Sequence, residues 1–92
     1  MKDRTGRLFL ISGRVQGVGY RAFAVEAARE TGVTGWARNL DDGRVEVHAS
    51  GTVRQLDEFE ELLRRGPRFA EVQGLEKSEA AVHAVQEFVI RS

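Results

Sequence analysis

The chain has 92 residues, in which 14 lysines and arginines balance 14 aspartates and glutamates, and it contains no cysteine. This length is enough for one domain with a single hydrophobic core. The lack of cysteine excludes disulfides, thiolate catalysis and cysteine-ligated metal sites. Because the formal net charge is zero, basicity gives no reason to expect a nucleic acid or an anionic membrane as partner.

The N-terminal segment is polar and lacks the apolar stretch that is typical of a signal peptide. No apolar run in the chain approaches the roughly 20 residues that a membrane-spanning helix needs. We therefore expect a cytoplasmic protein without a membrane partner. We expect residues 1–92 to form a single domain in which residues 1–6 are a loose tail.

Hydrophobic periodicity predicts the elements in the first half of the chain. Residues 7–15 alternate as a strand, and residues 20–31 have the spacing of an amphipathic helix. Residues 33–39 and 44–50 are two further predicted strands. The turn between them, at 40–43, contains an Asp-Gly pair that is typical of a hairpin.

The second half begins with another predicted helix, which follows Gly51 and ends at Gly66-Pro67. Thr52 and Gln55 have the spacing of a capping box at its start. Its buried stripe is expected to be Val53, Leu56, Phe59 and Leu63. Its solvated face is expected to carry Glu58, Glu60, Glu61, Arg64 and Arg65. Residues 70–78 and 86–91 predict one or two further strands, with Phe88 and Ile90 pointing inward.

The predicted order of elements is β-α-β-β-α-β. This order is typical of an α+β, ferredoxin-like split β-α-β sandwich, in which two helices cover one face of an antiparallel sheet.

The segment Gly13–Arg21, GRVQGVGYR, runs from the end of the first strand into the first helix. Gly17 and Gly19 allow positive φ and a close approach of the backbone to a ligand. Backbone N–H groups at a helix N-terminus converge on a spot that favours an anion. Arg21 adds a planar guanidinium that matches two phosphate oxygens. The segment therefore predicts a phosphate cradle.

Parts of this pattern also fit simpler or different structures. The glycines and arginine of residues 13–21 are also compatible with a simple tight turn followed by a solvated arginine. Asn39, taken alone, is compatible with a turn residue. A dinucleotide fingerprint, G-x-G-x-x-A, matches residues 17–22, but the chain is too short for a doubly wound domain, and a hairpin follows. A Walker A loop is excluded because no Gly-Lys-Ser/Thr follows the glycines.

The segment Gly13–Arg21 resembles a signature of the acylphosphatase family, GRVQGV followed by two variable positions and arginine. The segment Gly35–Asn39, GWARN, is similar to the second family signature, which continues at Gly43, Val45 and Gly51. The closing Phe88–Arg91 resembles the usual C-terminal strand. The resemblance implies hydrolysis of the carboxyl–phosphate bond of acyl phosphates, giving a carboxylate and inorganic phosphate.

The resemblance also implies roles for individual residues. Arg21 would bind the phosphoryl group and Asn39 would position the attacking water. The cradle would be formed by the backbone amides of Gln16, Gly17, Val18, Gly19 and Tyr20. Gly19 stands where many members carry a larger residue, so we expect a more mobile cradle. Arg44 stands where some relatives have threonine, and it is expected either to tighten phosphate binding or to be solvated.

This chemistry needs no metal or cofactor, and we expect none. The carboxylate that leaves is a weak base, and phosphoryl transfer depends mainly on positioning and on charge stabilisation. His48 and His83 are expected to be surface residues rather than ligands. We expect an acyl phosphate as substrate, inorganic phosphate as product and inhibitor, and a monomeric enzyme.

Two other function classes stay open. One is an RNA-binding module of the same architecture, against which stand the neutral charge and the lack of stacking aromatics on the central strands. The other is a non-catalytic or transfer domain that binds a phosphoryl or carbamoyl-phosphate group. Acylphosphatase-like domains occur at the start of larger hydrogenase-maturation carbamoyltransferases. Because nothing follows Ser92, we expect a stand-alone enzyme.

Overall fold

The computed structural model describes residues 3–92 of the chain, which form two helices and five strands. In chain order these are β1 (Thr5–Arg14), α1 (Tyr20–Thr31), β2 (Thr34–Asn39), β3 (Val45–Gly51), α2 (Val53–Arg65), β4 (Glu71–Ala80) and β5 (Phe88–Arg91). The strands form one sheet in the order β4-β1-β3-β2-β5. The predicted α+β, ferredoxin-like fold is confirmed, and helix α1 has the predicted bounds.

The last strand makes the sheet mixed. Strand β1 pairs antiparallel with β3 and β4, and β2 pairs antiparallel with β3. Strand β5 instead runs parallel to β2, with Phe88 opposite Gly35 and Ile90 opposite Ala37. This corrects the expectation of a wholly antiparallel sheet, because the sequence pattern does not reveal which edge the final strand joins. The pairing brings the end of the chain beside Asn39, the last residue of β2.

The hydrophobic core lies between the sheet and the two helices. The sheet contributes the fully buried side chains Phe9, Ile11, Ala37, Val45 and Val47. Helix α1 contributes Ala24, Ala27 and Ala28, and helix α2 contributes Leu56, Phe59 and Leu63. Because alanine is short, the buried side of α1 can lie close to the sheet. This packing fixes the start of α1 relative to the ends of β1 and β2.

The start of α2 follows the prediction in its cap but not in its buried face. Thr52 Oγ1 accepts a hydrogen bond from the Gln55 N–H at 3.1 Å, and Gln55 Oε1 accepts one from the Thr52 N–H at 2.9 Å. The predicted capping box is therefore confirmed. The burial of Val53 was predicted wrongly, because its side chain is 55% exposed and the buried stripe begins one turn later, at Leu56.

Glu60 also departs from the expectation of a solvated helix face. It is only 7% exposed. Its carboxylate accepts hydrogen bonds from Lys77 Nζ at 3.0 Å and from Arg64 Nη2 at 3.0 Å. Burial favours the neutral acid, but the bonds from these two cations outweigh burial and lower the pKa of Glu60. These two cations come from α2 and β4, and Arg7 of β1 lies 3.4 Å from the same carboxylate, so helical periodicity alone could not predict this cluster.

The predicted loose tail is shorter than expected. Thr5 and Gly6 belong to β1, where Thr5 lies opposite Gly51, and Gly6 lies opposite Ser50 and Ala80. Backbone pairing orders these residues, and their side chains carry no hydrophobic signal for it. Met1 and Lys2, the first two residues of that predicted tail, lie outside the described residues. Neither helix within residues 3–92 has the length and apolar character needed to cross a bilayer.

Candidate active site

The loop between β1 and α1 has an alternating backbone conformation. Gly17 has φ of 76° and Gly19 has φ of 80°, both in the left-handed region, whereas Val18 between them has negative φ. Alternation of this kind turns successive N–H groups towards one point and forms an anion-binding nest. A Cβ atom would meet nothing within 4 Å at either glycine. Glycine is therefore favoured here by backbone conformation and not by lack of space.

The amides of this loop are available to a ligand. Within residues 3–92, the N–H groups of residues 16–20 donate to no backbone carbonyl in a turn or cap. The first such bond of α1 runs from the Phe23 N–H to the Gly19 carbonyl at 3.0 Å. Gly19 is the N-cap residue, and no side chain caps the helix. Free amides and the positive end of the helix dipole make this a site suited to an anion.

Arg21 and Asn39 line the same cavity as the loop glycines. The cavity has a volume of about 200 Å³, and Gly17 and Gly19 form part of its wall. Arg21 lies in the first turn of α1, and Asn39 is the last residue of β2. Arg21 Nη1 donates a hydrogen bond to the Arg91 carbonyl at 3.0 Å, so the end of β5 orients the guanidinium. The fold thus brings together the two side chains that the two sequence motifs singled out.

The Gln16 side chain ties this loop to the β2–β3 hairpin. Its Nε2 donates to the Leu40 carbonyl at 2.8 Å and to the Arg44 carbonyl at 2.9 Å. These carbonyls lie at the two ends of the hairpin turn, and Leu40 directly follows Asn39. A primary amide has the two donors that this bridge requires. The first motif predicted a role only for the backbone of Gln16, although the presence of glutamine within that motif was a signal for a side-chain role.

The side chains of Val18 and Tyr20 point away from the cavity. Val18 packs against the hydrophobic core. Tyr20 is 1% exposed, and its hydroxyl donates to the Leu63 carbonyl at 2.6 Å. Burial raises the pKa of the Tyr20 phenol well above its usual range. The Tyr20 side chain therefore anchors the start of α1 to the end of α2 and leaves its backbone N–H at the cavity.

Arg44 is engaged within the hairpin. Its Nε donates to Asp42 Oδ2 at 2.9 Å, and its backbone N–H donates to Asp42 Oδ1 at 3.1 Å. The side-chain hydrogen bond from Arg44 lowers the pKa of the Asp42 carboxyl. Neither of the two expectations for Arg44, phosphate binding or free solvation, describes this arrangement. The Asp42–Arg44 pair instead stabilises the hairpin turn, whose carbonyls accept the hydrogen bonds from Gln16.

The two histidines lie together on the sheet face opposite the helices. The His48 ring stacks on Trp36 at 4.6 Å between centroids, and His83 packs edge-on against Trp36 at 4.6 Å. Burial is the main cause that lowers the pKa of His48. Both histidines are therefore partly buried, where simple surface positions were expected. No group of three or more potential metal-ligating side chains occurs within residues 3–92.

Comparison with known proteins identifies the family. Residues 8–90 match the family model described as acylphosphatase. The chain belongs to the acylphosphatase family. An acylphosphatase from Solibacter usitatus is 54% identical to it over 85 residues, which cover 92% of this chain and 88% of the relative. The family and the enzyme class that the two motifs predicted are therefore confirmed.

Solved acylphosphatase structures agree with this assignment. The Bacillus subtilis acylphosphatase superposes with a TM-score of 0.92 at 34% identity, covering 96% of this chain and 99% of that one. The acylphosphatase from Coxiella burnetii gives a TM-score of 0.92 at 34% identity, covering 98% of this chain and 95% of that one. The acylphosphatase fold thus extends over almost the whole of the chain.

Proposed function

We propose that this acylphosphatase hydrolyses the carboxyl–phosphate bond of acyl phosphates without a metal ion, using the loop amides, Arg21 and Asn39. Family membership supports acyl phosphate hydrolysis in general. The observation that carries the residue assignments is the cavity itself. Gly17, Gly19, Tyr20, Arg21 and Asn39 all line it, so within the described part of the chain one cavity combines residues with unpaired loop amides, an arginine and an asparagine.

The phosphoryl group is held by the amides of residues 16–20 and by Arg21. The N–H groups surround oxygens that carry negative charge in both the substrate and the transition state. Arg21 supplies charge-assisted hydrogen bonds in a planar, two-pronged geometry. Its bond to the Arg91 carbonyl uses one donor and leaves the rest of the guanidinium for the ligand. Amides and one cation replace the charge neutralisation that other phosphoryl-transfer enzymes obtain from metal ions.

Asn39 orients the water that attacks phosphorus. Its amide offers both a donor and an acceptor and does not titrate near neutral pH. The water oxygen bonds to phosphorus in line with the leaving group, and the bond between phosphorus and the acyl oxygen breaks with its electron pair on the carboxylate. One proton of the water passes to a phosphate oxygen, which gives dihydrogen phosphate. The leaving carboxylate needs no protonation, because the pKa of its acid is about 4–5.

Release of inorganic phosphate from acetyl phosphate in excess EDTA tests the metal-free hydrolase. We expect full activity with chelator, and competitive inhibition by added inorganic phosphate. A loss of activity that Mg²⁺ or Zn²⁺ restores would contradict the metal-free mechanism. Binding of carbamoyl phosphate or RNA without turnover of any acyl phosphate would instead favour one of the two non-hydrolytic alternatives.

Arg29→Ala is a matched control for Arg21→Ala. Arg29 lies on the same helix, is exposed, and pairs only with Glu26 at 2.7 Å within the part of the chain that the structure describes. Loss of one exposed ion pair costs at most about 1 kcal/mol. The control should therefore keep wild-type turnover, whereas Arg21→Ala should lose nearly all of it. Equal activity of the two variants would remove Arg21 from the site.

A further inference from the structure

An exposed isoleucine stands at the wall of the active-site cavity. Phe88 and Ile90 alternate onto the same side of β5, facing the helices, and both were expected to point into the core. Phe88 is 8% exposed, but Ile90 is 48% exposed, so the inward prediction holds only for Phe88. Ile90 lies opposite Ala37, close to the end of β2 where Asn39 is placed. Its exposed surface forms part of the lining of the cavity.

The cavity wall divides into two chemically different parts. Gly17, Gly19 and Arg21 present N–H donors, and Asn39 presents an amide. The side chains of Ile90 and of Ala22, which lies in the first turn of α1, contain only carbon and hydrogen. These two side chains offer no hydrogen bond to a phosphoryl group, whereas an apolar chain attached to that group would lose water-exposed surface against them.

The charge of strand β5 agrees with an uncharged ligand group at Ile90. The cation of β5 is Arg91, whose side chain points to the opposite face and lies over the Trp36 ring at 4.0 Å from its centroid. Its carbonyl, not its guanidinium, faces Arg21. A carboxylate at the far end of an acyl group would therefore find no cation on this strand. An aliphatic acyl group would find the Ile90 side chain.

We propose that Ile90, together with Ala22, forms an acyl subsite that favours substrates with uncharged, apolar acyl groups. This inference deepens the proposed function and rests on it, because the subsite matters only if acyl phosphates are the substrates. Single exposed hydrophobic residues are common on protein surfaces and carry no meaning by themselves. Ile90 differs from such residues because it lines the same cavity as Arg21 and Asn39.

The test measures kcat/KM for acetyl, propionyl and butyryl phosphate. The three leaving carboxylates have nearly the same basicity, so differences in rate report contacts with the chain and not the chemistry of the leaving group. Full burial of one methylene group would raise kcat/KM by about fourfold. Because the cavity wall covers the acyl chain on one side only, each added methylene should raise kcat/KM by about twofold. We expect wild-type kcat/KM to rise by about fourfold or more from acetyl to butyryl phosphate.

In Ile90→Ala, kcat/KM should no longer rise from acetyl to butyryl phosphate. Its inhibition constant for inorganic phosphate, which has no acyl group, should stay at the wild-type value. Val89→Ala is the matched control, since Val89 is 42% exposed on the same strand and faces the other side of the sheet. It should keep the full rise across the series. Ile90→Leu restores an apolar side chain and should keep the rise as well, and it provides the comparison if Ile90→Ala folds poorly.

Three outcomes would overturn the inference. The first is a wild-type series without chain-length dependence. The second is equal flattening in Ile90→Ala and Val89→Ala. The third is an Ile90→Ala variant that keeps the full rise. These differ from failure of the proposed function, which would appear as absence of phosphate release from all three substrates and would refute the subsite with it.

Discussion

Replacing Gln16 by alanine removes the bridge between the phosphate loop and the β2–β3 hairpin. Its two hydrogen bonds, of 2.8 and 2.9 Å, hold the Leu40 and Arg44 carbonyls at the two ends of the turn. Leu40 adjoins Asn39, so the bridge fixes the distance between the amides that hold phosphate and the amide that holds water. The variant should therefore lose turnover more than it loses phosphate binding.

The expected magnitude follows from the two bonds. Each neutral hydrogen bond contributes about 0.5–1.5 kcal/mol, so their loss should lower the free energy of unfolding by about 1–3 kcal/mol. Misplacement of a catalytic group by about 1 Å can cost on the order of 100-fold in rate. We expect kcat to fall by about tenfold to 100-fold, and the Kd for inorganic phosphate to rise by less than about fivefold.

The assay combines urea unfolding, steady-state kinetics on acetyl phosphate and calorimetric titration with inorganic phosphate. Gln73→Ala is the control, because Gln73 is exposed on β4 and outside the cavity lining. It should leave all three quantities unchanged. A Gln16→Ala protein with the expected loss of stability but wild-type kcat would refute the positioning role and leave Gln16 a structural residue.

Three further predictions concern stability. Tyr20→Phe removes the hydrogen bond to the Leu63 carbonyl and should cost about 1–3 kcal/mol in urea unfolding, because that buried acceptor loses its donor; an unchanged midpoint would contradict this. Glu60→Gln should lower the free energy of unfolding by about 1–2 kcal/mol, since two of the three cationic partners of Glu60, Lys77 and Arg64, are half exposed. The folded pKa of Glu60 lies below its ordinary value of 4.5, so its stabilisation is complete above that pH and is lost as the pH falls through the folded value. The acid side of the wild-type Tm profile should therefore be steeper than that of Glu60→Gln, and identical profiles would contradict the pKa shift. Gly35→Ala places a Cβ atom against the backbone carbonyl of the paired strand, at a φ of 145°, and should cost more than about 3 kcal/mol or prevent folding, as circular dichroism would record.

Local signals predicted most of the fold. The Asp-Gly pair marked the hairpin, the Thr52–Gln55 spacing marked the start of α2, and Gly32 marked the end of α1 with φ of 91°. Each of these features depends on residues within one turn of each other, which a sequence pattern contains directly. Arg21 and Asn39 lie in the two family motifs, residues 13–21 and 35–39. The main candidate site residues were therefore also predicted from the sequence.

The features that the sequence did not predict depend on contacts between distant segments. Glu60 is buried because a cation from β4 reaches it, and β5 lies parallel to β2 because of the edge that it joins. The Gln16 bridge crosses from the loop to the hairpin. Ile90 alternates as a core residue should, yet it lies exposed at the cavity wall. Periodicity within one element contains no information about such neighbours.

Phosphate binding and kcat, measured together on Asn39→Ala and Arg21→Ala, test the proposed division of roles most directly. Asn39→Ala should bind inorganic phosphate with a Kd within about twofold of the wild type, while kcat falls by about 100-fold or more. Arg21→Ala should weaken phosphate binding by at least about tenfold and nearly abolish turnover, because each charge-assisted hydrogen bond contributes about 1.5–3 kcal/mol. A folded Asn39→Ala protein with near wild-type kcat, or an Arg21→Ala protein with wild-type phosphate affinity, would contradict the mechanism.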